Sequence, residues 1–281
     1  MQSQLSFVAS PEMEILIQAR NRTEIKPTRV GAVSYLNTKP LIYGLQKRLA
    51  DSGKVSLELP SRLASQLSEE KIDVGLIPVF EYFKNSRYRI VSNAAIACRG
   101  PVWSVRLFFK CDPSRVRTIA MDVGSRTSAA LTKVLFHARF GFVPESVPLE
   151  LATNPVEAAV DAVLVIGDRA MHPEDLKKDF RGDWDLGQAW FEETGLPFVF
   201  AMWVARNEQF AEPKLIKVLE ESRQDGLRNL DKITWDASKK YGLSQEQCAD
   251  YLTNYICFQL GPEELDGMAE FRLRCQRLNL I

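Results

Sequence analysis

The chain has 281 residues, 46% of them apolar, and its 36 basic and 36 acidic side chains leave no formal net charge. That apolar share supports a sizeable core in one large or two smaller domains, and the neutral balance lacks the basic excess with which a general nucleic-acid binder meets phosphates. Five cysteines without a C-x-x-C pair read as reduced, mostly buried thiols, and two histidines without metal-site spacing, His137 and His172, predict no zinc site.

The opening stretch to residue 27 has no basic segment followed by an apolar run. It reads as a polar, partly disordered extension and not as a signal peptide. No later stretch is apolar for long enough to span a bilayer. The chain is therefore expected to be cytoplasmic, in keeping with its cysteines.

Structure is expected from Thr28. Residues 29–34 (RVGAVS) read as a buried strand, and residues 38–50 as a helix whose first turn accepts Pro40, where the missing N–H costs nothing. Residues 55–59 alternate as a strand. Ser61 can cap a helix running to residue 71, with Glu69 and Glu70 outward. Residues 72–79 (IDVGLIPV) form another buried strand, ending in a loop at Pro78. Such alternation makes a parallel sheet with helices on both faces.

Residues 88–98 and 103–110 are two further β-like runs, and the polar run 111–117, with Pro113, reads as a hinge. A second alternation begins with the strand at 118–122 (TIAMD). A helix at 126–140, a strand at 147–151, a helix at 156–162 and a strand at 163–167 (VLVIG) follow. After an aromatic run at 184–203 come three helices, near 212–241, 244–259 and 262–277. Ser244 with Glu246 opens the second, and Pro262 with Glu263 and Glu264 opens the third.

These elements divide into two α/β lobes. Residues 28–112 and 204–281 make the first, with the helical tail packed back on it, and residues 113–203 make the second, with crossings near 111–117 and 197–205. The layout is that of an α/β, two-lobe, periplasmic-binding-protein-like (type II) fold with its ligand cleft between the lobes, at the carboxyl ends of the strands.

Those strand ends supply the candidate site residues. SYLNTKP (residues 34–40) runs from the first strand into a helix N-terminus, where unpaired backbone N–H groups hold anions. Asn37 offers an acceptor and two donors without charge; equally, Asn37 or Thr38 could merely cap the helix. GSRTS (residues 124–128) has the same placement in the second lobe, and its hydroxyls could grip a carboxylate or simply cap. Arg126 could add charge or face solvent. One such site per lobe suits a ligand with two carboxylates. Ser104 matters only if its strand ends at the cleft, and Asp168, after VLVIG, is either a cap or a cleft residue. No G-x-S-x-G, G-x-x-x-x-G-K-[ST] or G-x-G-x-x-G motif is present.

The run VGAVSYLNTKPLIYGL (residues 30–45) resembles the opening of the chorismate dehydratases of the futalosine route to menaquinone. IDVGLIPVFEY, GPVWSVRLF, GSRTSAALTKVL, VLVIGDRAM and TGLPFVFAMWVAR are similar to later segments of that family, in the same order. The resemblance implies a periplasmic-binding-protein-like fold and removal of water from chorismate, with no metal or organic cofactor. Asn37 matches the family's asparagine and is expected to be catalytic, while Ser104, Ser125, Arg126, Thr127 and Ser128 match its polar cleft positions. With Ser34, Tyr35, Thr38, Pro78 and Asp168 at the other strand ends, they form the expected substrate-binding set. Chorismate is the implied small-molecule partner, without nucleic acid or membrane, and no oligomeric state is implied.

Three alternatives are open. The 1,4-dihydroxy-6-naphthoate synthase of the same pathway would call for a histidine in the cleft. A solute-binding protein would call for export, and the sensing domain of a regulator for a DNA-binding domain.

Overall fold

The computed structural model describes residues 27–281; the extension expected up to residue 27 falls, but for Pro27, outside them. In chain order the elements are β1 (Thr28–Val33), α1 (Leu45–Leu49), β2 (Gly53–Glu58), α2 (Pro60–Ser68), β3 (Val74–Pro78), α3 (Val79–Tyr82), β4 (Arg89–Cys98) and β5 (Val105–Phe109). There follow β6 (Thr118–Asp122), α4 (Arg126–Phe140), β7 (Glu145–Leu149), β8 (Ala162–Ile166), α5 (Pro173–Lys177), β9 (Gly182–Asp185), α6 (Leu186–Thr194) and β10 (Phe198–Ala205). The tail holds α7 (Pro213–Arg228), α8 (Leu230–Tyr241), α9 (Gln245–Asp250), a π-turn at Tyr251–Tyr255, β11 (Cys257–Gln259) and α10 (Pro262–Arg277).

Two sheets carry the two lobes. The first runs β11-β4-β10-β3-β1-β2 and the second β7-β6-β8-β5-β9. In the first, β1 lies parallel to β2 and β3, while β10 is antiparallel to both β3 and β4. In the second, β6 lies parallel to β7 and β8, and β5 is antiparallel to β8 and β9. The inner parallel strands β1, β3, β6 and β8 are buried along most of their length, which is why they read as apolar runs, while the edge strands β2 and β7 are largely exposed. Gly31 belongs to this packing: a Cβ there would lie 2.5 Å from Leu63 and 2.7 Å from Ile72, so its absence seats α2 on β1. In the tail, α7 packs against β4 and α10 against β10.

The chain crosses between lobes earlier than the sequence suggests. Val105–Phe109 pairs with β8 and β9, so the first crossing lies at residues 99–104 and not at the polar run 111–117. Four of the five residues of β5 are buried, and such a strand needs neighbours on both sides. Asp112 merely turns the chain inside the second lobe, its carboxylate accepting from the N–H of Ser114. The return crossing precedes Phe198, because β10 pairs wholly within the first sheet.

Other differences are local. The helix expected at 38–50 is interrupted by Gly44 at φ +68°, leaving only Leu45–Leu49 as α-helix. Residues 156–162 hold a single 3-10 turn at Pro155–Glu157, since pairing with β5 and β6 draws Ala162 into a strand. The helix at 212–241 breaks at Asn229. The one at 244–259 ends in the π-turn and β11, which pairs with β4. Among the described residues no helix is long and apolar enough to cross a membrane.

Candidate active site

The carboxyl ends of β1, β3 and β8 and the first crossing segment converge on a cleft between the sheets. Tyr35, Asn37, Ser104, Ser125 and Ser128 supply its polar lining. Val33, Pro60, Pro78, Ile96, Val102, Val105, Ile166, Gly167, Phe200 and Ala201 supply the rest, and none of these residues carries a formal charge. The five loops expected at the cleft all contribute. Pro60, Ile96 and Phe200 are additions that the sequence reading missed, because each belongs to the middle or start of an element.

Asn37 sits in a 3-10 turn directly after β1 and is only 8% exposed. It caps nothing. Its Nδ2 donates to the Tyr251 hydroxyl at 3.0 Å, and that hydroxyl donates to Ser104 Oγ at 2.8 Å. Asn37 Oδ1 is buried and has no partner among the described residues. Tyr251 lies in the π-turn, more than two hundred residues along the chain, and nothing in the local run YLTNY marks it as part of a site. Burial pushes its phenol well above the usual tyrosine range, so it stays protonated.

Ser104 is held from both sides. Its N–H donates to Val102 at 2.7 Å, and its carbonyl accepts from the N–H of Gly167 at 2.8 Å. The segment before it is pinned by Asp185, whose carboxylate accepts from the N–H groups of Val102 at 2.9 Å and Trp103 at 2.7 Å. Trp103 adopts φ +62°, a strained conformation for a bulky residue that persists only where the surroundings impose it.

In the second lobe Ser125 caps α4, its Oγ accepting from the N–H of Ser128 at 3.1 Å and donating to Ser128 Oγ at 2.9 Å. Capping and cleft lining are thus combined in one residue. The N–H groups of Arg126 and Thr127 belong to the first helical turn, which has no intrahelical acceptors. Their side chains leave the cleft. Arg126 pairs with Glu81 at 3.0 Å, and Thr127 Oγ1 accepts from the N–H of Phe80 at 3.3 Å. Both contacts join the lobes, as does the bond from the N–H of Ser61 to the Gly124 carbonyl at 3.2 Å. The molecule is therefore closed over its cleft.

Ser34, Thr38 and Asp168 support the site from outside its lining. Ser34 donates its N–H to Glu58, and Thr38 is fully buried behind the turn. Asp168 neither caps a helix nor lines the cleft: its carboxylate accepts from the N–H of Leu36 at 3.3 Å and clamps the Asn37 turn from the opposite lobe. Burial raises its carboxyl above the usual range. The Tyr35 ring lies over Gly167, where φ is +64° and a Cβ would come within 2.8 Å of the ring. Only glycine admits both the conformation and the approach. His137 is exposed on α4, and His172 faces the Tyr241 carbonyl at 3.0 Å, so neither lines the cleft.

A family model described as menaquinone biosynthesis matches residues 28–277. A chorismate dehydratase of Thermus thermophilus is 29% identical over 263 residues, which cover 88% of this chain and 94% of the relative. One of Campylobacter jejuni is 26% identical over 255 residues, covering 89% and 98%. Among solved structures, a protein from Archaeoglobus fulgidus superposes with a TM-score of 0.74 at 17% identity, covering 91% of this chain and 99% of its own. The periplasmic aliphatic sulphonate binding protein of Escherichia coli does so at 0.59 and 15%, covering 91% and 88%. At these identities the structural likeness establishes the two-lobe, periplasmic-binding-protein-like fold and no more.

Proposed function

This chain belongs to the menaquinone-biosynthesis family, and on that premise we propose that it is a hydro-lyase that converts chorismate to 3-[(1-carboxyvinyl)oxy]benzoate and water. The near-full-length similarity to two chorismate dehydratases supports the reading. The observation that carries it in the structure is the cleft itself: closed and uncharged, with neutral hydrogen-bonding groups from both lobes.

The chemistry suits such a cleft. Chorismate loses its C4 hydroxyl and C3 proton, and the ring becomes aromatic, which supplies much of the driving force. The protein has chiefly to hold a dianion in a reactive conformer and to stabilise charge as it moves. The first turn of α4, with Ser125 and Ser128, receives one carboxylate as helix N-termini do; Ser104 donates from the other side. Among the described residues no side-chain carboxylate or imidazole lines the cleft. Asp168 is engaged by Leu36, and Asp122 by the N–H of Gly124 at 2.8 Å and by Arg169. The substrate's own enolpyruvyl carboxylate is then the acceptor of the C3 proton, and it hands that proton to the departing C4 hydroxyl, which leaves as water. Five free thiols support a reducing, cytoplasmic setting, and the SYLNTKP resemblance supports the futalosine route.

The test is incubation of the purified chain with chorismate, with and without a chelator, following the aromatic product by absorbance and mass. Formation of that product in both samples is expected. Chorismate that binds and is recovered unchanged would replace this reading with that of a binding protein.

A further inference from the structure

We infer that Tyr251 is a positioning residue which, from behind the cleft wall, turns Asn37 into an acceptor and Ser104 into a donor toward the bound substrate. The inference rests on the dehydration reading above and assigns the reaction a residue outside its cleft.

Tyr251 is 1% exposed and does not line the cleft, so it acts through its neighbours. Its single hydroxyl sits between the two residues, 3.0 Å from Asn37 Nδ2 and 2.8 Å from Ser104 Oγ. A phenol has one proton to give, and a carboxamide nitrogen can only donate. Asn37 therefore donates to Tyr251, and the tyrosine proton goes to Ser104, the other polar atom in reach. In this amide orientation Nδ2 gives one of its two protons to Tyr251, and Oδ1 has no partner among the described residues. The serine proton is settled as well. Ser104 has its backbone bonded on both sides, so only its hydroxyl rotor is free, and with Oγ accepting from Tyr251 the serine proton points away from it, toward the cleft.

The two ends of this chain match the substrate's groups. Chorismate has two carboxylates, an ether oxygen and one hydroxyl, so its C4 hydroxyl is the only donor it brings. Asn37 Oδ1 can pair with nothing else on the molecule, which places it on the leaving group. Ser104 presents a proton to an anionic or departing oxygen, and linked hydrogen bonds of one polarity strengthen one another.

The fold spends local regularity on this placement. The N–H of Ile256 reaches the Tyr251 carbonyl at 3.2 Å, the i to i+5 bond of a π-turn, a departure that recurs at functional sites. Trp103, held at its positive φ, packs edge-on to the Tyr251 ring at 5.5 Å between centroids and so fixes its plane.

The experiment compares the wild-type chain with Tyr251→Phe, which keeps the ring packing and removes the hydroxyl. Turnover of chorismate is expected to fall by about 10-fold or more with KM changed less than about 3-fold, because a misdirected donor forfeits part of the 10²–10³ that one preorganised donor contributes. In a Ser104→Ala background the same change should cost markedly less, since its effect passes in part through Ser104. Site-specific 3,5-difluorotyrosine at 251 preserves packing if the phenylalanine variant does not fold. It should move the alkaline limb of turnover to lower pH, because a phenolate cannot donate to Ser104. A folded Tyr251→Phe variant with wild-type turnover, full multiplicativity with Ser104→Ala, or an unmoved alkaline limb would each overturn the role of Tyr251 alone. A wild-type chain that forms no product overturns the dehydration reading instead.

Discussion

Arg126 turns its guanidinium out of the cleft and meets Glu81 of the opposite lobe, Nη1 to Oε2 at 3.0 Å. Its Nη2 donates to Ser65 Oγ at 2.9 Å, and Glu81 also takes Lys84 at 2.8 Å. The one cation in GSRTS is thus spent on joining the lobes. Arg126→Gln and Glu81→Gln should then weaken chorismate binding alike, and by less than about 5-fold, since the pair touches no substrate and an ion pair with a half-exposed partner contributes about 1 kcal/mol. Were Arg126 a carboxylate ligand, its loss would cost about 1.5–3 kcal/mol in binding and that of Glu81 little. KM for both variants and for the swapped pair, Arg126→Glu with Glu81→Arg, separates the two cases.

Stability, by contrast, should respond to acid at the far end of the first sheet. Asp73 accepts from Arg29 at its N–H (2.9 Å), Nε (3.0 Å) and Nη2 (2.7 Å), and from Arg206 Nε at 3.2 Å. Burial pushes the Asp73 carboxyl up, but the hydrogen bonds and charge of Arg29, with Arg206, outweigh it and hold the group below the usual carboxylate range. A depressed folded pKa contributes stability that is fully present above the unfolded value, about 3.9, and is lost as pH falls through the folded one. Asp73→Asn should lower stability at pH 7 by on the order of 2 kcal/mol and flatten the acid limb below pH 4. Thermal melts between pH 3 and 7 check this; parallel curves for variant and wild type would assign the acid sensitivity elsewhere.

Much of the fold was legible because parallel strands buried on both faces write themselves as apolar runs, and their ends as polar turns. SYLNTKP, Pro78, Ser104, GSRTS and the loop after VLVIG all reach the cleft or its immediate support on that basis. What local pattern could not carry was partnership. Val105–Phe109 looks the same whichever sheet it joins, and only pairing with β8 and β9 moves the crossing to residues 99–104. Arg126 has no sign in the sequence that Glu81 waits opposite. Tyr251 reads as an ordinary apolar helix position, and its role comes from contacts across 214 and 147 residues of chain.

Asn37 gives the sharpest test of the cleft. Its amide nitrogen gives one proton to Tyr251, and its Oδ1, without a partner among the described residues, is the acceptor it offers the substrate hydroxyl. Asn37→Ala removes that acceptor and leaves Ser104 and the α4 turn able to hold the carboxylates. Turnover should therefore fall by about 10²-fold, the scale of one lost preorganised hydrogen bond, while binding weakens by less than about 5-fold. Asn37→Asp keeps the shape but replaces the donor with an acceptor. Tyr251 would then give its proton to residue 37, Ser104 would give its own to Tyr251, and the cleft would lose its serine donor as well. The aspartate variant should accordingly be at least as slow as the alanine one despite its closer shape. Single-turnover kinetics beside a binding titration measure both quantities. Weakened binding with an unchanged chemical step would make Asn37 a residue of binding only, and an aspartate variant faster than alanine would contradict the polarity assigned to the Asn37–Tyr251–Ser104 chain.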